Sequence, residues 1–284
     1  MTDPNPLENP SPGPQKPAFG VFGRTGRELA AAVAFLTRLP VPLKDHGWPD
    51  PQATLWAFPL VGAGIGASTG LLILAAQGLG WPSLVAVLLG LGAVLLLTGA
   101  LHEDGLADCA DALGARGGRD KRLAVMRDSQ IGSYGVLALA VLLGLKVGQL
   151  AAFPVGLGLV VWLAATGALG RGAAVLVLLL LPPARNDGLG HWAGQEAQGR
   201  RRIAAIVLGL CGAVLLIAAA VSGLWLGLVF GVLGAGLVFG LMCHWAKKAL
   251  GGQTGDVAGA AVVLCETAAL LGIGLAMGMI GAQP

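Results

Sequence analysis

Apolar stretches of about twenty residues follow one another along the chain, separated by short polar segments, and within them Leu, Ala, Gly and Val run on without period-2 alternation. Runs of that length cross a hydrocarbon core as helices, and the missing alternation argues against an outer-membrane barrel. The pattern predicts membrane helices over 57–77, 81–101, 133–153, 155–181, 203–221, 224–245 and 257–281. A shorter apolar run, 28–42, reads as a re-entrant or interfacial helix. The expected fold is therefore all-α and polytopic, with about seven transmembrane helices. The first seventeen residues hold six prolines and no early apolar core, so 1–27 reads as a disordered, Pro-rich cytoplasmic tail and not as a cleaved signal peptide. Residues 28–284 then form a single helical membrane domain.

Composition agrees. Hydrophobic residues make up 55% of the chain and charged ones only 12%, which sets the lipid bilayer as its surroundings and suggests no nucleic-acid partner. Cys109, Cys211, Cys243 and Cys265 form no C-x-x-C pair, and three of them sit in apolar runs, so they read as packing residues and not as a disulfide or zinc framework. Of the 18 Lys and Arg, Arg38, Lys146 and Arg171 lie within apolar segments. With seven crossings the other 15 all fall on one side, in the tail and in 43–56, 102–132, 182–202 and 246–256. The positive-inside rule makes that side cytoplasmic, together with the N-terminus. Counting 28–42 as a full crossing would put Arg116, Arg119, Lys121, Arg122 and Arg127 outside. Gly62, Gly66 and Gly70 repeat at i+4, a spacing that favours close packing within the bundle over a dimer seam. The sequence does not define an oligomeric state.

Against this apolar background His102–Gly114, HEDGLADCADALG, places four carboxylates within nine residues. Asp104, Asp108 and Asp111 fall at i, i+4 and i+7, so a helix carries all three on one stripe with Cβ atoms roughly 5–6 Å apart. Like charges at that spacing cost a bare helix roughly 0.2–0.5 kcal/mol per pair, which invites a cation between them. Mg²⁺ suits carboxylate and phosphate oxygens. The alternative is Asp104 as a helix cap with the other two acids on a wet face. Glu103 lies off the stripe and is a weaker metal candidate. His102 reads as a general base, a metal ligand or an interfacial hydrogen-bonder.

Two further segments carry chemistry. Arg127–Gly135, RDSQIGSYG, joins basic and acidic side chains to small residues that let backbone approach a ligand, so Arg127, Ser129 and Gly132 are phosphate-binding candidates and Asp128 a further metal ligand. Equally, Ser129 or Ser133 simply caps the next helix. Gly251–Ala260, GGQTGDVAGA, opens the last span. Thr254 or Asp256 caps it, or else the amides around Gly255 hold an anion and Asp256 binds metal. Arg171 and Glu266 are ionisable residues within membrane spans, functional or paired with each other. Arg38 sits in the 28–42 helix, which Pro40 and Pro42 break.

Taken in order, FLTRLPVP (35–42), FPLVGAGIG (58–66) and these three segments resemble the cobalamin synthase family, the adenosylcobinamide-GDP ribazoletransferases. The likeness runs from Phe35 to Ala260. It implies an Mg²⁺-dependent enzyme of the bacterial inner membrane that joins adenosylcobinamide-GDP to α-ribazole or its 5′-phosphate and releases GMP. Carried over by position, Asp104, Asp108 and Asp111 would bind metal, with Asp128 and Asp256 as further ligands or orienting groups. Arg127 would compensate phosphate charge, His102 is a candidate base, and Arg38, Arg171, Ser129, Gly132 and Gly255 are candidate substrate contacts. Two rivals stand beside this reading. The DGLAD segment also resembles the CDP-alcohol phosphotransferases, but here Asp108 stands where their motif has Arg, and no D-x-x-D precedes the glycine. A cation or corrinoid transporter would want acids near the bilayer midplane, where only Glu266 qualifies, and an internal repeat that this chain lacks.

Overall fold

The computed structural model describes residues 21–41, 43, 48–185 and 197–281, so the first twenty residues of the predicted tail lie outside the described residues. The described chain is helical throughout: α1 (Val21–Leu36), α2 (Pro51–Thr54), a 3₁₀ turn (Leu55–Ala57), α3 (Phe58–Gly78), α4 (Ser83–Thr98) and α5 (Leu101–Gly114) come first. There follow α6 (Arg119–Val125), α7 (Ser133–Ala151), α8 (Leu157–Leu180), α9 (Ala197–Ser222), α10 (Trp225–Leu250) and α11 (Gly255–Gly281). Among the described residues, six helical stretches are long and apolar enough to cross a membrane, and α4 and α5 pass that test only together, as a pair bent by 88°.

That bend corrects the expected helix over 81–101. α4 has 16 residues and ends at Thr98, because Gly99 (φ 67°) and then Ala100 (φ 55°) adopt the left-handed conformation. A glycine takes that conformation without strain and commonly ends a helix. The backbone N–H of Arg38 donates to Leu97 O at 2.7 Å, satisfying a carbonyl freed where α4 stops. At 1.5 Å per residue α4 is about 24 Å long, short of the roughly 30 Å hydrocarbon core. α5 leaves it at 88° and lies across one end of the bundle, outside the spanning segments.

α1 also differs from its expectation. It begins at Val21 and ends at Leu36, so Arg38 follows the helix instead of lying within it. Thr37 ends the helix by donating its hydroxyl to Val33 O at 2.7 Å. Glu28 accepts a hydrogen bond from Trp56 Nε1 at 2.9 Å, which ties α1 to the segment leading into α3.

α8 is the most enclosed span, packed by α3, α9 and α11. The glycine stripe of α3 makes this possible: a Cβ on Gly62 or Gly66 would overlap the backbone of Gly167 or Leu163, and one on Gly70 would come within 2.7 Å of Val160 Cα. The stripe is thus a seam within the bundle, as its spacing suggested. Cys109, Cys211 and Cys265 are buried packing residues.

At the α5 end the loops lock together. Gln253 N donates to Pro182 O and Ala184 N to Gln253 O, both at 2.8 Å. Arg119 of α6 donates to Leu250 O at 2.7 Å and to Ala184 O at 2.6 Å. These bonds bring 102–132, 182–185 and 251–256 to one end of the bundle, the grouping that the distribution of Lys and Arg required.

Candidate functional site

The acidic helix meets the start of α11 through a glycine. A Cβ on Gly105 would lie 2.7 Å from Asp256 O and 3.1 Å from Asp256 Cα, so only glycine lets α5 rest on that backbone. Gly105 sits between Asp104 and Asp108, and the contact gathers these two acids with Asp256. The three interact: the Asp108 carboxyl is pushed up to about 7, first by burial and then by Asp256, Asp104 and Asp111, against the opposing pull of Arg185.

A cavity of about 160 Å³ opens beside this contact. Its polar wall is His102, Asp104, Gly255, Asp256 and Arg171, and Phe35, Phe58 and Leu178 supply the apolar side. Arg171 is 3% exposed, and its Nε has no hydrogen-bond partner. His102 is buried too, and burial, then Arg171, pushes its imidazole down to about 3, so it is neutral.

Asp256 is itself anchored. Thr254 Oγ1 accepts from Val257 N and donates to Asp256 Oδ2, both at 3.2 Å, so Thr254 caps α11. Arg185 Nη1 stands 3.8 Å from Asp256 Oδ2, while its Nη2 donates to Leu123 O at 3.1 Å. Sequence reasoning missed Arg185, because nothing in LPPAR marks it as the partner of an acid near the other end of the chain.

Asp111 departs from the stripe's expected role. Its Oδ2 accepts from Gly132 N at 2.7 Å and its Oδ1 from Gly135 N at 2.9 Å. The small residues of RDSQIGSYG do cradle an anion, but that anion is the Asp111 carboxylate. Gly132 is therefore not free to hold phosphate through its N–H, and α7 is capped by Asp111 from α5 instead of by Ser129 or Ser133.

The remaining candidates lie apart from the cavity. Arg127, Asp128 and Ser129 are exposed on the α6–α7 turn, where Asp128 Oδ1 accepts from Gln130 N at 3.1 Å. That local turn holds Asp128 away from the cavity wall. Arg38 is exposed with its guanidinium against Gly99. Glu103 is buried with Oε2 unpartnered, off the stripe as its spacing required. Arg171 and Glu266 do pair, and Lys146 Nζ joins them at 2.8 Å from Glu266 Oε2.

Among the described residues no three His, Cys, Asp or Glu side chains converge closely enough to enclose an ion. The donor set nonetheless fits Mg²⁺, which binds through one or two carboxylates and completes its shell with water and substrate phosphate. Asp104, Asp108 and Asp256 offer hard oxygens whose mutual repulsion a cation would relieve.

Fold and site together define a multi-pass helical membrane protein with acidic, anion-handling chemistry collected at one end of its bundle. The sequence model of the cobalamin-5-phosphate synthase family matches residues 28–274. Relatives named adenosylcobinamide-GDP ribazoletransferase include that of Azorhizobium caulinodans, 42% identical over 87% of this chain and 94% of the relative. Those of Xanthobacter autotrophicus (41%; 88% and 96%) and Allorhizobium ampelinum (39%; 88% and 97%) are similar. No solved structure matches the chain. The protein belongs to the cobalamin synthase family and is a transferase of cobalamin biosynthesis. Family membership sets aside the CDP-alcohol phosphotransferase and transporter readings.

Proposed function

We propose that this enzyme transfers adenosylcobinamide phosphate from adenosylcobinamide-GDP to α-ribazole or its 5′-phosphate, with Mg²⁺, and releases GMP. The observation that carries the proposal is a single cavity with Asp104 and Asp256 on its walls beside the buried guanidinium of Arg171. A diphosphate needs both: oxygen donors for the metal that accompanies it and a fixed cation for its remaining charge.

In this reading Asp104, Asp108 and Asp256 hold Mg²⁺, which when bound neutralises charge growing on the phosphate oxygens. Arg171 and the amide at Gly255 receive the oxygens turned away from the acids. The hydroxyl oxygen of the ribose forms a bond to the phosphorus that carries the corrinoid arm. The bond from that phosphorus to the bridging oxygen breaks, and GMP departs with it. The hydroxyl proton passes to a cavity carboxylate, because burial leaves the His102 imidazole too weak a base to take it. Asp111 acts at one remove, fixing α7 against α5. The acid-bearing end faces the cytoplasm of a bacterial inner membrane, in keeping with its Lys and Arg.

The test is GMP release by lipid-reconstituted protein given both substrates, with Mg²⁺ and with EDTA. Metal-dependent GMP and a matching cobalamin product are expected. Equal release in EDTA overturns the metal assignment, and no release by folded protein overturns the reaction.

A further inference from the structure

Lys146, Glu266 and Arg171 come from α7, α11 and α8, three spanning helices, and meet inside the bundle. Glu266 Oε1 accepts from Arg171 Nη1, and Glu266 Oε2 accepts from Lys146 Nζ at 2.8 Å. Both oxygens of the one carboxylate are thus occupied, and two cations share it. The cluster keeps one net positive charge in a setting where unbalanced charge is expensive. Lys146 is 7% exposed and Arg171 3%.

Arg171, the most buried of the three, is the member that reaches the acid-bearing cavity. It lines the 160 Å³ cavity that holds Asp104 and Asp256. On its far side the cluster borders a cavity of only about 40 Å³, which has room for little more than a water molecule. A ligand anion therefore reaches Arg171 from the acid side. The unpartnered Nε leaves the guanidinium with donor capacity that Glu266 does not use. Gly62 leaves room for the stem of that side chain: a Cβ there would lie 2.9 Å from Arg171 Cδ.

We infer that Glu266, clamped by Lys146, is a positioning residue that fixes the Arg171 guanidinium to receive a phosphate oxygen in the acid-lined cavity. The inference rests on the phosphoryl-transfer reading for the identity of the anion. Lys146 stops the carboxylate from turning, and the carboxylate stops the guanidinium from turning. The cation is then oriented before the anion arrives, and no reorganisation is needed on binding. His102, Asp104 and Asp256 share the cavity wall with it, and none is part of the clamp.

Two variants separate positioning from charge. Glu266→Asp keeps every charge but withdraws the carboxylate by one methylene. The double variant Lys146→Met with Glu266→Gln also keeps the net charge of +1, now on Arg171 alone, and removes the clamp. Binding of inorganic pyrophosphate with Mg²⁺ by calorimetry, and kcat and KM for GMP release, are measured on reconstituted protein that elutes as a single species. Both variants should bind pyrophosphate about tenfold more weakly, the loss of one charge-assisted hydrogen bond, and kcat should fall further than KM rises. Wild-type pyrophosphate binding and kcat in either folded variant overturn the inference. Glu266→Asp retains both ionic partners, so it decides the matter if the double variant does not fold. Wild-type protein that binds pyrophosphate but releases no GMP overturns the reaction reading alone, and the binding comparison still judges the clamp. Wild-type protein that releases GMP but binds no pyrophosphate overturns the clamp.

Discussion

Replacing Gly105 with Ala perturbs one contact, and its effect can be worked out from the geometry. The added Cβ would lie 2.7 Å from Asp256 O, and an ordinary contact begins at 3.4 Å, so α5 and α11 must part by about 0.7 Å. Overpacking costs about 1–3 kcal/mol, and Ala returns about 1 kcal/mol of helix propensity, so the variant should fold with a net loss of about 0–2 kcal/mol. Catalysis should suffer more. The shift moves Asp104 and Asp108 relative to Asp256, and a displacement of about 1 Å at reacting groups can cost roughly 10²-fold, so kcat should fall about 10- to 100-fold. Gly148→Ala on α7 is the control: nothing lies within 4 Å of its Cβ, and the residue is not part of the cavity wall. GMP release by the two reconstituted variants, with their unfolding midpoints, gives the answer. Full activity in Gly105→Ala, or an equal loss in Gly148→Ala, refutes the reasoning.

Other substitutions sort the acids by role. Asp104→Asn and Asp256→Asn should cut GMP release about 10²-fold or more without lowering the unfolding midpoint, because each relieves repulsion on Asp108; a lower midpoint with activity kept would reverse the assignment. Asp111→Ala should behave oppositely, losing about 1–2 kcal/mol of stability as the Gly132 and Gly135 amides lose their acceptor, read as a lower midpoint in thermal unfolding. Gly66→Leu should yield no monodisperse protein on size-exclusion chromatography, since its Cβ would overlap the backbone of Leu163.

How much of this was legible beforehand depended on whether the cause was local. The length of an apolar run and the sidedness of Lys and Arg are properties of contiguous residues acting on a bilayer, so the all-α class, the spans at α3 and from α7 to α11, and the end that gathers the loops could all be read from the chain. The motif order that resembles the cobalamin synthases was likewise legible, and so was the Arg171–Glu266 pair, because an unpaired charge in a membrane span is costly wherever it sits. The break at Gly99 and Ala100 was not, since the apolar run continues through it and the stop depends on Arg38 supplying a donor from another segment. Nor could spacing separate Asp111 from Asp104. One stripe on one helix presents three equivalent acids, and only tertiary packing sends the first toward Asp256 and the last to the amides of α7. Lys146 and Arg185 acquired their partners in the same way. Helix identity is set by residues near in sequence, whereas the role of a charge is set by whatever the folded chain brings against it.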